Sequence, residues 1–278
     1  MVSGFKYLFV SGLLASAASL PAADSNNISA RTFPGKRGLA YNDPAVLATF
    51  AKNGGPFSWC YNWAGRGGGA PSTEFVPMLW GRRAFGTWNR DAQASLASGS
   101  GHLLAFNEPD LPSQASMSPQ DAARAYQEYM NPLSGRARLG SPAVTNGGGS
   151  LGLGWMENFL NACAGRCKVD FLAIHWYDDA TRVESFKSHV NAAIALARKH
   201  GIGKIWVTEF AGRGNDAAQV AFLQNVLPWL DTNPGVERYA YFKTDTPGDV
   251  SADHVADWIG QQPWRLSQAR LQRQIRGD

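Results

Sequence analysis

Short apolar runs recur along the chain, and each is followed by a loop rich in Gly, Pro or Asn and often by a helical pattern. Most of the runs are continuously apolar rather than alternating, which is typical of parallel strands that are covered on both faces. We therefore predict eight strands, at residues 37–41, 57–63, 75–80, 102–106, 138–144, 171–177, 205–210 and 236–242.

Helix signals fall between these strands. A capping box begins at Ser118, with Pro119 at the first helical position, and predicts a helix to about residue 130. Residues 182–200 form a long helical pattern, and a further helix is expected to start at Asn215. Eight strand–helix units without a break in composition predict an α/β fold with a single (β/α)8 TIM barrel. Because the helix after the third strand is poorly marked, an open α/β sheet is the alternative.

The two ends of the chain differ from this repeating pattern. Residues 1–23 are interpreted as a secretory signal peptide, in which Lys6 precedes an apolar stretch and then small residues. The stretch is too short and too rich in Ser, Gly and Ala to favour the alternative of an uncleaved membrane anchor. We assign the barrel to residues 31–250, and residues 251–278 to a poorly defined C-terminal helix or tail.

The composition is consistent with a single globular domain and argues against a nucleic-acid partner. A chain of 278 residues that is 44% hydrophobic and only 17% charged can bury one large core. The net charge of +4 is modest, and the sequence has neither a Lys/Arg run nor a nucleic-acid-binding motif. We therefore expect no nucleic-acid partner.

The three cysteines suit an oxidising compartment. Cys163 and Cys167 flank a short turn, and we predict a disulfide between them, while Cys60 is expected to be a buried thiol. The CxxxC pair could instead bind a metal, but no His or further Cys is close enough in sequence to complete four ligands, so no metal is expected. Asn27 begins a glycosylation sequon.

Two of the seven glutamates stand out because each closes an apolar run. Glu108 and Glu209 end the fourth and seventh predicted strands, and the carboxyl ends of the strands carry the active site in a barrel. A carboxylate buried beside a core strand is costly unless it is paired or used. Two such groups are what glycoside hydrolysis requires, with retention of configuration at a separation of about 5–5.5 Å and inversion at about 6.5–9.5 Å.

Polar neighbours of these glutamates are also candidates. His175 and Tyr177 alternate onto one face of the sixth strand and are candidate substrate-binding residues. A hydrogen bond from either could also hold Glu209 ionised and oriented. A satisfied polar group of the core is the alternative interpretation of His175. Asp110, two residues beyond Glu108, is interpreted as a residue that caps the loop or tunes its neighbour.

Aromatic side chains at or near the predicted strand ends are candidate platforms for sugar rings, since an indole face can stack on a pyranose. The candidates are Trp63, Trp80 and Trp176. Tyr41 and Asn42 end the first strand and are further candidate sugar contacts.

Three segments together resemble glycoside hydrolase family 128, whose members are secreted β-1,3-glucanases of a retaining barrel clan. These segments are 106–110 (FNEPD), 171–177 (FLAIHWY) and 206–210 (WVTEF), with further matches at 61–63, 77–81 and 141–143. The resemblance implies that Glu108 is the general acid/base, that Glu209 is the nucleophile and that Asn107 hydrogen-bonds the sugar 2-hydroxyl. The match weakens after residue 242.

We therefore expect a retaining endo-β-1,3-glucanase that acts on β-1,3-glucan without a cofactor. We expect it to be a monomer, secreted and extracellular, with the cell wall as a candidate location and no membrane contact after signal cleavage. One alternative is a non-catalytic β-glucan-binding barrel, and another is a glycosidase of the same clan that acts on a different β-glycan. The chain has no P-loop or HExxH motif that would support nucleotide or zinc chemistry.

Overall fold

The computed structural model describes residues 35–45, 47, 57–68 and 73–244. The predicted signal peptide at 1–23, the sequon at Asn27 and the predicted tail at 251–278 lie outside the described residues. Within them, eight strands run along the chain: β1 (Arg37–Tyr41), β2 (Phe57–Tyr61), β3 (Glu74–Phe75), β4 (His102–Leu103), β5 (Arg138–Val144), β6 (Phe171–Asp179), β7 (Ile205–Arg213) and β8 (Val236–Thr244).

The strands form one closed barrel. All pairs are parallel, and the order is β3-β2-β1-β8-β7-β6-β5-β4. The backbone beyond the two outer strands closes the ring, because Leu79 N donates to Leu104 O and Leu104 N donates to Pro77 O, both at 2.9 Å. The prediction of a (β/α)8 barrel is thus confirmed, and these closing hydrogen bonds exclude the open sheet.

Helices of seven or more residues follow five of the described strands: α1 (Phe85–Ala97), α2 (Pro119–Ala125), α3 (Gly152–Cys163), α4 (Val183–Lys199) and α5 (Asp216–Thr232). The predicted caps are present: the Ser118 hydroxyl accepts a hydrogen bond from Asp121 N, and the Asn215 side chain accepts one from Ala218 N. None of the described helices combines the length and the apolar character needed to cross a membrane.

Helix α1 is the element that the sequence marked least. Its buried face is carried by Trp88, Ala92 and Leu96, which are four residues apart. The N-cap position is Ala84, which makes no side-chain capping bond, and Gly86 lies in the first turn. The helix is therefore stabilised by packing on the barrel rather than by its own propensity.

Aromatic side chains fill the inside of the barrel. Trp206 stacks on Phe171 with ring centroids 4.1 Å apart and lies 4.9 Å from the ring of Trp59. A larger apolar cluster lies between the strands and the helices. At the edge of that layer, Cys163 forms a disulfide with Cys167. Cys60 is buried.

A buried ionic cluster ties three strands together at the amino-terminal end of the barrel. Glu74 on β3 lies 2.9 Å from His102 Nδ1 on β4 and accepts a 2.7 Å hydrogen bond from Arg238 Nη2 on β8. Burial alone would raise the pKa of Glu74, but His102 and Arg238 lower it. Its contribution to stability is therefore present at neutral pH and is lost as the pH falls through this lowered pKa.

Replacing Glu74 with Ala should lower the free energy of unfolding by about 3–5 kcal/mol, because Arg238 would be left buried without its partner. Chemical denaturation at pH 7 measures this loss. The matched control is Glu184→Ala, which removes an exposed carboxylate paired with Lys187 and should leave the midpoint nearly unchanged. Equal midpoints for the two variants would contradict a role for the cluster in holding the barrel together.

Candidate active site

A cleft of about 740 Å³ opens at the carboxyl ends of the strands. Its lining combines two carboxylates, several amides, aromatic rings and three cationic side chains. The lining residues are Asn42, Trp63, Trp80, Arg83, Asn107, Glu108, Leu111, Gln114, Thr145, Asn146, Gly147, Leu151, Tyr177, Glu209, Arg213, Phe242 and Lys243.

Glu108 and Glu209 lie at the base of this cleft and are 7% and 5% exposed. The Glu108 backbone N donates to Ala143 O of β5 at 2.8 Å, although Glu108 adopts a φ of 41°. Trp63, which also lines the cleft, has a φ of 56°. Left-handed conformations of residues other than Gly are strained and collect at functional sites, where the surrounding structure maintains them.

A bulge in β7 brings two consecutive side chains to the inside of the barrel. Ile174 pairs with Val207 and His175 pairs with Glu209, so Thr208 is an extra residue on β7. The Thr208 hydroxyl lies 3.1 Å from His175 Nε2, and Glu209 Oε1 lies 3.4 Å from the same nitrogen. Strict alternation would have turned Glu209 away from the cleft.

His175 connects the two carboxylates. Its Nδ1 lies 2.9 Å from Glu108 Oε1, and one oxygen of each glutamate and a ring nitrogen of His175 all lie within 4.8 Å of one another. Burial lowers the pKa of His175, but the charges of Glu209 and Glu108 outweigh it, and the pKa is raised overall. The imidazolium form is thus favoured, with a donor directed at each side of the pair.

The Glu209 carboxylate has two further donors. Trp63 Nε1 donates to Oε1 at 2.7 Å, and the Tyr177 hydroxyl donates to Oε2 at 2.5 Å. Burial, followed by the charge of Glu209, raises the pKa of Tyr177, so its hydroxyl keeps its proton and remains a donor. Such charge-assisted hydrogen bonds fix the orientation of a carboxylate.

The same cluster also offers three potential ligand atoms to a metal ion. Both nitrogens of His175 already lie in hydrogen-bonding range of protein oxygens, and both oxygens of Glu209 accept protein donors. The arrangement is therefore that of a satisfied hydrogen-bond network.

Asn107 precedes Glu108 and faces the same cleft. Its Nδ2 donates to Gln114 Oε1 at 3.3 Å, whereas its buried Oδ1 has no hydrogen-bond partner among the described residues. A buried polar atom without a partner is costly, so this oxygen is suited to accept a hydrogen bond from a bound hydroxyl.

Three of the predicted sugar contacts lie away from the cleft. Trp176 is buried against Phe186 and Phe222 in the helix layer, because neighbouring side chains on a strand point to opposite faces. Tyr41 is also buried, and its hydroxyl donates to Gly68 O. His175 is fully buried and contacts the glutamates rather than the cleft. The remaining predicted contacts, Asn42, Trp63, Trp80, Asn107 and Tyr177, line the cleft.

Several cleft residues carried no signal in the sequence. Arg83 places its guanidinium 3.5 Å from the centroid of the Trp80 ring, and Arg213 lies 5.9 Å from that of Tyr177. Asn146 comes from the Gly-rich loop that follows β5. That loop could have been suspected, since loops after barrel strands build the active site, but the individual residues could not.

Comparison with known proteins identifies the class. Residues 38–262 match the family model described as glycosyl hydrolase catalytic core, and the chain belongs to this family. It is 34% identical over 229 residues to Alkali-sensitive linkage protein 1 of Schizosaccharomyces pombe. That match covers 76% of this chain but 39% of the relative, so the chain spans about two-fifths of that protein's length.

Solved structures narrow the class further. A GH128 subgroup III curdlan-specific exo-β-1,3-glucanase from Blastomyces gilchristii is 57% identical, with a TM-score of 0.78 over 82% of this chain and 98% of that one. A subgroup I endo-β-1,3-glucanase from Amycolatopsis mediterranei, solved with laminaritriose, is 29% identical, with a TM-score of 0.67 over 81% and 98%. A subgroup IV endo-β-1,3-glucanase from Lentinula edodes is 26% identical, with a TM-score of 0.64 over 81% and 98%. The resemblance to glycoside hydrolase family 128 is thus confirmed, and the chain is a glycoside hydrolase.

Proposed function

We propose that this protein is a retaining β-1,3-glucanase in which Glu108 is the general acid/base and Glu209 is the nucleophile. The observation that carries the proposal is the contact of both carboxylates with His175 and their approach to within 4.8 Å. The 4.8 Å refers to one oxygen of each glutamate, and so close an approach is compatible with the carboxyl separation of about 5–5.5 Å that retaining enzymes use. The choice of retention over inversion rests on the resemblance to the retaining family.

The hydrogen bonds support the division of roles. Glu209 receives donors from Trp63 on one oxygen and from Tyr177 on the other, which hold its carboxylate in a fixed orientation, as a nucleophile requires. Among the described residues, the Glu108 side chain has one hydrogen-bonding partner, His175, on Oε1. Its other oxygen is therefore suited to deliver a proton to the departing glycosidic oxygen.

In the first step, a Glu209 oxygen bonds to the anomeric carbon while the bond to the glycosidic oxygen breaks and Glu108 protonates that oxygen. In the second step, Glu108 removes a proton from water, which attacks the same carbon and releases Glu209. The charge that Glu108 gains between the steps is balanced by His175, which lies 2.9 Å away. His175 thus offsets a negative charge that moves from one glutamate to the other.

The cleft supplies candidate contacts for the sugar. Asn107 Oδ1 is placed beside Glu108 and is suited to accept a hydrogen bond from the 2-hydroxyl, a contact that strengthens as charge develops on the ring. Trp63 and Trp80 present indole surfaces to the cleft. Since Arg83 covers one face of Trp80, only the opposite face of that ring is available for stacking.

The substrate and the mode of attack come from the relatives. All three solved structures described above are β-1,3-glucanases, and one contains laminaritriose, which supports β-1,3-glucan as the substrate here. The sequence led us to expect endo action. The 57% identity to an exo-acting enzyme favours exo action as a second candidate. Export through the signal peptide at residues 1–23 and a monomeric state remain predictions.

The first prediction concerns turnover and its products. Wild-type protein incubated with linear β-1,3-glucan should release soluble sugars, and Glu209→Ala should release none while unfolding at a similar temperature. Chromatography of early samples separates the two modes, since endo action gives a ladder of oligosaccharides and exo action gives one short product from the start. Binding of the glucan without products from wild type would instead support the non-catalytic barrel, and products only from another β-glycan would support a different substrate.

The second prediction concerns Glu108. Glu108→Gln should lose most activity on glucan but still release the leaving group of activated aryl β-glucosides in a rapid first turnover, because such groups depart without protonation and only the second step then lacks its base. Parallel rate measurements on both substrates provide the test. An equal loss on both would contradict the assignment of Glu108 as the acid.

A further inference from the structure

The proposed chemistry leaves one buried carboxylate beside the site unexplained. Asp110 is 6% exposed and lies two residues after Glu108. Its Oδ2 accepts hydrogen bonds from the Thr145 hydroxyl at 2.5 Å and from Gly152 N at 2.9 Å, and Thr145 N lies within 3.3 Å of both oxygens. Asp110 thus joins the segment that carries Glu108 to both ends of the loop between β5 and α3.

The loop is shaped for this attachment. Gly152 has a φ of 54°, and a Cβ at this position would lie 2.3 Å from Gly147 O and 2.8 Å from Thr145 O. Only Gly therefore lets the backbone turn so that Gly152 N reaches Asp110. The Thr145 hydroxyl also accepts a hydrogen bond from Gly147 N at 3.1 Å, which tightens the same turn.

The loop in turn holds the backbone of Tyr177. Asn146 Nδ2 donates to Tyr177 O at 3.3 Å, and Tyr177 N donates to Asn146 Oδ1 at 3.2 Å. The pairing of β5 with β6 ends at Val144 and Ile174, three residues before Tyr177. The Asn146 side chain therefore replaces the missing strand neighbour on this side of Tyr177, and its partner on the other side is Ala211 of β7.

We propose that Asp110 is a positioning residue. It anchors the loop between β5 and α3, and Asn146 of that loop holds the backbone of Tyr177 so that the Tyr177 hydroxyl stays hydrogen-bonded to Glu209. These contacts run from Asp110, two residues after the proposed acid/base Glu108, to Tyr177, which donates to the proposed nucleophile Glu209. They therefore fix the positions of the two glutamates relative to each other. This inference rests on the proposed function for its catalytic consequence, but the contacts themselves are independent of the substrate.

A double-mutant cycle tests the inference. Asn146→Ala should lower kcat/KM about tenfold, the equivalent of one hydrogen bond, and mainly through kcat. In a Tyr177→Phe background, which lacks the hydroxyl, the same change should have almost no further effect. Asn146→Asp keeps the acceptor for Tyr177 N and should restore part of the rate.

Asp110→Asn should act in the same direction as Asn146→Ala, because loss of the charge weakens the bonds that Oδ2 accepts from Thr145 and Gly152, and an amide nitrogen in the place of Oδ1 cannot accept from Thr145 N. The matched control is Asp170→Asn. Asp170 Oδ2 accepts a hydrogen bond from Leu139 N at the opposite end of β5, so this variant should leave kcat unchanged. If Asp110→Asn does not fold, the Asn146 cycle tests the same contacts without it.

Crystal structures of the Asn146 variant provide a readout that needs no activity. In Asn146→Ala, the Tyr177 hydroxyl should lie beyond hydrogen-bonding distance of Glu209, and an unchanged distance would overturn the inference. Additive effects of Asn146→Ala and Tyr177→Phe in the cycle would also overturn the inference. The same holds if Asn146→Ala raises KM in the Tyr177→Phe background, because either result would mean that Asn146 acts directly on the sugar. If the wild-type protein is inactive but Tyr177 is displaced in the Asn146→Ala crystal structure, the glucanase function is rejected and the positioning role of Asn146 stands.

Discussion

The site depends on one physical constraint, the burial of two carboxylates against a single histidine. Isolated carboxylates at this depth would take up protons, since desolvation disfavours their charge. His175, whose pKa is raised by both partners, makes the close approach of Glu108 and Glu209 sustainable. In the proposed mechanism, the same imidazole remains in contact with the pair as charge passes between the two glutamates. Stability of the site and its chemistry therefore rest on the same contact.

The barrel creates this contact by departing from regular strand geometry. The bulge at Thr208 turns both Thr208 and Glu209 toward His175, and the left-handed backbone at Glu108 directs the other carboxylate to the same place. The left-handed backbone at Glu108 is strained, and Thr208 has no pairing residue on β6. Hydrogen bonds from neighbouring strands and from the Asp110-anchored loop compensate for this cost and leave little freedom in the position of either carboxylate.

Periodicity and residue type were sufficient to predict the barrel, the order of its strands and the position of Glu108 and Glu209 in the cleft, because buried parallel strands are continuously apolar and a carboxylate at their ends is conspicuous. The third and fourth strands are shorter than predicted, at Glu74–Phe75 and His102–Leu103. The same reasoning misplaced Trp176 and Tyr41, whose direction depends on strand register rather than on their distance from a strand end. Helix α1 lacked a cap, and the bulge at Thr208 leaves no mark in an apolar run. Arg83 and Asn146 reach the cleft through loop conformations, which long-range packing determines.

The central claim is that Glu108 and Glu209 act as a retaining pair. The most direct test follows the anomeric configuration of the first product by proton NMR during hydrolysis of a β-1,3-gluco-oligosaccharide, before mutarotation mixes the anomers. A double displacement predicts that the β-anomer appears first and the α-anomer only later. If the α-anomer appears first, water attacks the sugar directly, and the assignment of Glu209 as the nucleophile is contradicted.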